Sequence, residues 1–264
     1  MRRLIIILLL SLGCCTYAQH RVGVSLSPAM TWQLDSMSST HSIPGASGGI
    51  GFAYQYQWEP LVLRTGFELG FAAMRQGVDS VLFSPDTLCH NRVDAMRMIE
   101  FAIPVMVGVQ WQHFYALAGV RAIVAPDVST VQRATIAIRE QSDKYHDDYN
   151  RAFMYDHDID SRGIMTVNPD IRACVELGGQ WSMDRYFSAS NTSPILQLGV
   201  FAEYGLLNAC PKTYSSKAND ASVKMDIKHS YHNMQGMKVT NLRAGIRLTL
   251  LFDASPNDCN CEWY

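Results

Sequence analysis

Residues 242–252 read LRAGIRLTLLF, and the fold is decided by how that stretch is placed. Leu242, Ala244, Ile246, Leu248 and Leu250 fall on one side of an extended chain, with Arg243, Gly245, Arg247 and Thr249 on the other. Alternation with period two marks a strand whose two faces meet different surroundings. A soluble barrel would turn the apolar face inward. A membrane barrel turns it outward, to lipid, and encloses its charges. Two arginines opposite so apolar a face point to the second arrangement.

Working outward, the same alternation recurs along the chain. Residues 21–32 set Val22, Val24, Leu26, Met30 and Trp32 against Gly23, Ser25, Ser27 and Ala29. Residues 49–58 set Ile50, Phe52, Tyr54, Tyr56 and Trp58 against Gly51, Ala53, Gln55 and Gln57. Further strands are predicted over 61–73, 99–111, 114–124, 171–181 and 196–206. Glu59-Pro60 and Gln112-His113 read as tight turns. Residues 35–45, 76–94, 127–165 and 208–238 lack the pattern and read as long loops. The predicted fold is all-β: an eight-stranded antiparallel transmembrane β-barrel, up-and-down, spanning 19–252. Its short turns would be periplasmic and its long loops external, with both ends of the mature chain in the periplasm.

The charges support this placement. Arg64 and Glu68, Arg172 and Glu176, and Arg243 and Arg247 are each four apart. Four is also a helical spacing, but the intervening apolar residues fall at every second position and glycines are frequent. The inward set is Arg64, Glu68, Glu100, Arg121, Arg172, Glu176, Glu203, Arg243 and Arg247, with Gln55, Gln57 and Gln197. An eight-stranded barrel is just wide enough for side chains to fill, and buried charges must be paired and hydrogen-bonded. These residues are therefore expected to form a structural ion-pair network, not a catalytic set. Trp58, Trp111, Trp181 and Phe252 end the strands that run inward and suit a periplasmic aromatic girdle; Trp32 and Phe71 suit the outer one.

Composition sets the bounds. The chain has 264 residues, 48% hydrophobic and 17% charged, with a formal net charge of -2, a balance that argues against broad nucleic-acid binding. Residues 1–18 read as a signal peptide: Arg2 and Arg3, an apolar run over 4–12, and Thr16-Tyr17-Ala18 before cleavage at Gln19. Lipidation at Cys14 or Cys15 is the alternative, with Ser11 standing where a lipobox wants Leu. Cys89 and Cys210, each in a long external loop, are the candidate disulfide in an oxidising compartment. Cys174 lies on an inward face and reads as a free core residue. Residues 253–264, with Cys259 and Cys261, form a periplasmic tail.

Three loop features are candidate sites. His146-Asp147-Asp148 and Asp156-His157-Asp158-Ile159-Asp160 offer aspartates, but Ser161 and Val167 replace the Gly and Glu of a calcium loop. No metal or other cofactor is expected there; a solvated acidic loop is. Lys212, Lys217, Lys224, Lys228 and Lys238 make the last loop basic, so the two longest loops are expected to pack together as one cap. His146 or His157 with aspartates and Ser161 supplies the ingredients of hydrolysis without a specific spacing.

Two resemblances complete the reading. Arg243, Gly245, Leu248, Leu250 and Phe252 resemble the C-terminal recognition signal of bacterial outer-membrane barrels. This implies engagement with the barrel-assembly machinery during insertion, and outer-membrane lipid as the surroundings. Glu100-Phe101-Ala102-Ile103-Pro104, followed by Phe114-Tyr115-Ala116-Leu117-Ala118-Gly119, resembles the PorT-like outer-membrane β-barrel family of Bacteroidota. Here Pro104 lies four residues after Glu100 where that family has a shorter spacing. The expected function is non-enzymatic, a surface or structural outer-membrane protein whose external loops make contacts. A secretion-system accessory of the type IX kind is the alternative, and a loop-based enzyme the third.

Overall fold

The strand 242–252 belongs to a longer β14 (Thr240–Asp253), which pairs with the first strand, β1 (Gln19–Leu26). Their register runs from Arg21↔Asp253 to Leu26↔Leu248, so the sheet closes on itself. From β1 the ring passes through β4 (Gly45–Trp58), β5 (Leu61–Val78), β7 (Thr87–Trp111), β8 (Phe114–Val124), β11 (Asp170–Ser182) and β12 (Ile195–Gly205), and returns to β14. These eight strands pair antiparallel throughout. The protein is an eight-stranded transmembrane β-barrel. The computed structural model describes residues 19–34, 40–78, 81–84, 87–125, 128–140, 153–183, 194–208, 213–218 and 239–254. The proposed signal peptide and all but the first two residues of the proposed tail lie outside them.

The alternation becomes an inside and an outside. Val175, Leu177, Val200 and Ile246 on neighbouring strands are each more than half exposed, while Arg172, Glu176, Glu203 and Arg247 are buried. Lipid solvates the first set and nothing but protein surrounds the second. One end of the barrel holds the tight turns, Glu59-Pro60 and Gln112-His113, together with both strand ends Gln19 and Asp253. Gln112 takes the left-handed backbone (φ 40°) that so short a hairpin turn requires.

The segments 35–45 and 208–238, expected as loops, contain the strands Thr40–Ile43 and Thr213–Ala218, and three further boundaries differ. The segment 21–32 is two strands, since β2 (Ala29–Leu34) is offset from β1 at Ser27-Pro28. Pro28 has no N–H for the ladder, yet its carbonyl still accepts from the Ile246 amide at 3.0 Å, and both pieces stay between β14 and β4. The segment 76–94 is not a loop: β5 runs to Val78, and β7 begins at Thr87 after a short β6 (Val81–Ser84). The segment 127–165 is a hairpin of β9 (Val128–Glu140) and β10 (Phe153–Thr166). Residues 128–140 and 153–166 do not alternate apolar with polar, so no two-period signal marks them in the sequence.

These extensions form one sheet. β3 (Thr40–Ile43) pairs with β5, β5 with the first half of β7, β7 with β9, β9 with β10, and β10 with β13 (Thr213–Ala218). β7 changes partner where the ring ends: Phe101 faces Val124 of β8, and Met98 faces Val128 of β9. The two longest inter-strand segments therefore meet, through backbone pairing of 161–166 with 213–218.

Candidate functional site

All nine charged residues assigned inward are buried, each 5% exposed or less. Ion pairs join them into one network. Glu176 takes Arg64 Nη1 and Arg247 Nη1, each at 2.7 Å, on separate carboxylate oxygens. Glu68 faces Arg121 at 3.1 Å and both Arg243 and Arg247 at 3.5 Å. Glu203 takes Arg121 at 2.7 Å and lies 3.6–3.8 Å from Arg243, Arg247 and Arg172. Arg172 spans Glu100 at 2.7 Å and Asp170 at 3.0 Å. Asp170 was not in the predicted set because it precedes the alternating run. Its position two residues before Arg172, hence on the same face, is the signal that could have found it. With it, five arginines meet five carboxylates.

Uncharged groups hold the network in shape. Arg64 Nη2 donates to Gln55 Oε1 at 3.2 Å and to Gln197 Oε1. Gln197 Nε2 donates onward to Gln180 Oε1 at 3.2 Å. Nearer the turns, Arg21 donates to Gln57 at 2.6 Å and to Asp253 at 2.9 Å. The Tyr115 hydroxyl donates to Glu176 at 2.8 Å, with the Arg64 guanidinium 5.2 Å from its ring centre. Phe201 lies under two guanidiniums, Arg243 at 5.1 Å and Arg247 at 4.7 Å. Such cation–π contacts add to the pairing when desolvated. Tyr115 reaches Glu176 because Gly199 leaves room: a Cβ there would sit 2.4 Å from the hydroxyl.

Apolar side chains pack among and beside the charges. Val62, Met106, Tyr115, Leu117 and Cys174 form one cluster, level with Arg64, Glu176 and Glu203 in the strand register. Ala72, Met74, Met96, Met98, Ala125 and Val128 pack on the extended side. Within the wall, the described cavities hold about 30 Å³ and about 20 Å³, room for a water or two each. The interior's carboxylates are all committed to guanidiniums.

The remaining predicted residues fall as follows. Trp111 and Trp181 are exposed at the turn end, with Trp58 and Phe252 half-buried beside them; Trp32 is half-buried opposite Leu242, and Phe71 is exposed opposite Ile99. Phe52, Phe67 and Phe101 lie on the apolar band between, the last two with ring centres 6.2 Å apart. Cys174 is a buried free thiol. Cys89 sits on strand β7 opposite Ile136, not in a loop, while Cys210, Cys259 and Cys261 lie outside the described residues. Asp156, Asp158 and Asp160 lie on β10 paired with β9, an extended course that does not make a calcium-binding turn. His146, Asp147 and Asp148 lie outside the described residues. Among the described residues no three His, Cys, Asp or Glu side chains gather where a metal could be held.

No protein-family model matches the chain, and no curated protein matches it. Among solved structures it is similar to Ail, the attachment invasion locus protein of Yersinia pestis, at 8% identity and a TM-score of 0.29, covering 88% of this chain and 99% of that one. Neisserial surface protein A is similar at 13% identity and TM-score 0.32, covering 86% and 95%. CarO of Acinetobacter baumannii is similar at 12% and 0.34, covering 83% and 95%. Identities and TM-scores this low transfer no function.

Proposed function

We propose that the protein is a non-enzymatic outer-membrane β-barrel whose filled interior is structural and whose task is carried by the sheet standing off the barrel's extended end. One observation carries this reading: β5 and β7 continue past the ring and recruit β3, β9, β10 and β13 into a shared sheet. Hairpins close with about 2–5 residues, so closing the ring does not require this much chain. Ring strands are constrained on both faces, by lipid and by ion pairs, and recognition settles on what a rigid scaffold presents beyond them. In this reading the turns and both ends of the mature chain are periplasmic, and the sheet faces the cell exterior. There it contacts a partner at the surface.

The test is to shorten 129–165 and, separately, 209–238 to tight turns. Both variants should keep heat-modifiable migration from outer-membrane fractions and lose the partners that full-length protein captures at the intact cell surface. Recovery of the same partners by both shortened chains would sink the reading. Capture of an envelope-spanning assembly through the periplasmic turns would replace it with a secretion-accessory role.

A further inference from the structure

On β7 the outward positions from Trp111 to Ile99 are apolar, and Val107, Val105, Ile103, Phe101 and Ile99 are exposed. Trp111 and Ile99 stand about 40 Å apart along the strand, or about 30 Å along the barrel axis at a tilt of about 40°, which is the depth of a bilayer's hydrocarbon core. The next outward residue is Arg97, and it is exposed. β5 repeats the change one step later. Its outward run of Phe67, Leu69 and Phe71 passes through Ala73 to an exposed Arg75. Both arginines stand outside the barrel at the level where hydrocarbon gives way to headgroups.

Register brings them together. Phe71 faces Ile99, Ala73 faces Arg97, and Arg75 faces Ala95. Arg75 and Arg97 are thus diagonal neighbours, about 7–8 Å apart, within reach of one common group for side chains this long. Each has an alanine directly across, so no bulky side chain separates them. On the β3 side, the His41 ring fills the space where a Gly77 side chain would stand. Among the described residues, the outer positions of β3, β5 and β7 in this band carry no carboxylate, and neither arginine has an ion pair. Two like charges set side by side repel unless an anion joins them. Arg133 on β9 differs: it is exposed on the same face, but Asp160 of β10 stands opposite it in the register. Asp158 and Asp156 follow at the next outer positions of β10, so an acidic strip bounds the positive patch on that side.

Two guanidiniums above an exposed apolar wall fit an amphiphile with a phosphorylated headgroup. Guanidinium forks match phosphate oxygens in pairs, and Phe67, Phe71, Ile99 and Phe101 offer the wall for acyl chains. We propose that Arg75 and Arg97 bind a phosphate of a phosphorylated glycolipid in the outer leaflet. The choice of leaflet rests on the reading above that the extended end faces the cell exterior, where such glycolipids form the leaflet. The bound lipid fixes the depth of the barrel at the β5–β7 seam, from which the exposed sheet grows.

The test uses the full mature chain in detergent micelles. The probes are diphosphorylated lipid A, its dephosphorylated form and phosphatidylglycerol, with retained lipid counted by native mass spectrometry. The unaltered chain is expected to retain the diphosphorylated form about tenfold better than either of the others. Arg75→Gln and Arg97→Gln should each lower that retention several-fold, and the double variant about tenfold or more. Arg75→Lys with Arg97→Lys keeps the charge, loses the forked geometry and should keep only part of the retention. Arg133→Gln should leave it unchanged. All these positions are exposed, and heat-modifiable migration checks that each variant folds. Equal retention of the three lipids would overturn the proposal. So would an equal loss in Arg133→Gln, which would reduce the effect to net charge. An epitope inserted at 79–80 and read by antibody on intact cells reports the orientation separately. Detection only after the outer membrane is opened would overturn the orientation and the outer-leaflet source together. Detection on intact cells, with no preference for phosphorylated lipid, would overturn the site alone.

Discussion

Glu203 shows how tightly single residues are committed. It lies within 3.8 Å of four guanidiniums, from Arg121, Arg172, Arg243 and Arg247, and is 1% exposed. Removing one partner of a buried ion pair leaves the others uncompensated in a medium without water. Glu203→Gln should therefore destabilise the barrel by about 3–5 kcal/mol, read from denaturant unfolding in lipid vesicles. A change under about 1 kcal/mol would mean that water or ions reach the centre. Gly199 supports the network by what it lacks. Gly199→Ala should destabilise through its contact with the Tyr115 hydroxyl, and Tyr115→Phe in the same chain should recover part of the loss. Gly178→Ala should not be recovered in this way, because a Cβ there also meets the Leu198 carbonyl at 2.5 Å. Lack of recovery at Gly199 in this double-mutant cycle would show that the backbone sets the clash. The inward arginines and glutamates were legible in the sequence because each sits opposite a run of apolar residues. Asp170 stands just before the alternating run of β11, and only its place two residues before Arg172 marks it as inward.

At the scale of elements, the strands divide by what surrounds them. Val200 is 60% exposed, midway along β12 between Leu177 and Ile246 on the adjoining strands. If lipid covers that band, Val200→Arg should cost about 2–4 kcal/mol at the bilayer midplane, seen as a lower yield of folded protein in vesicles. A fully tolerated arginine there would argue that the face is wet. The same surroundings explain which elements could be read from residues alone. Inside the membrane a strand has one lipid face and one packed face, so alternation is strong, and all eight ring strands announce themselves. β9 and β10 keep backbone pairing like that of the ring, from Met165↔Val128 to Phe153↔Glu140, yet their sequences do not alternate apolar with polar residues. A strand without two different faces looks like a loop. β3, β6 and β13, of four, four and six residues, are too short to show a period at all.

For the whole molecule, the closure of β1 on β14 and the interior charges make one testable statement about permeation. Eight strands enclose a lumen just wide enough to be filled by side chains. Here the filling is an arginine–carboxylate network interleaved with Val62, Met106, Tyr115, Leu117 and Cys174, with Met74, Met96 and Met98 packed toward the extended end. An ion crossing would have to displace paired guanidiniums in the network. Purified protein in planar bilayers should therefore show no stable conductance above that of lipid alone. Removing Arg64 and Glu176 together, as Arg64→Ala with Glu176→Ala, takes out a pair that reaches from β5 across to β11 and should admit water before it admits ions. Long-lived openings from the unaltered chain in most insertions would mean that the interior rearranges in a bilayer. The task would then lie in the lumen and not in the sheet above it.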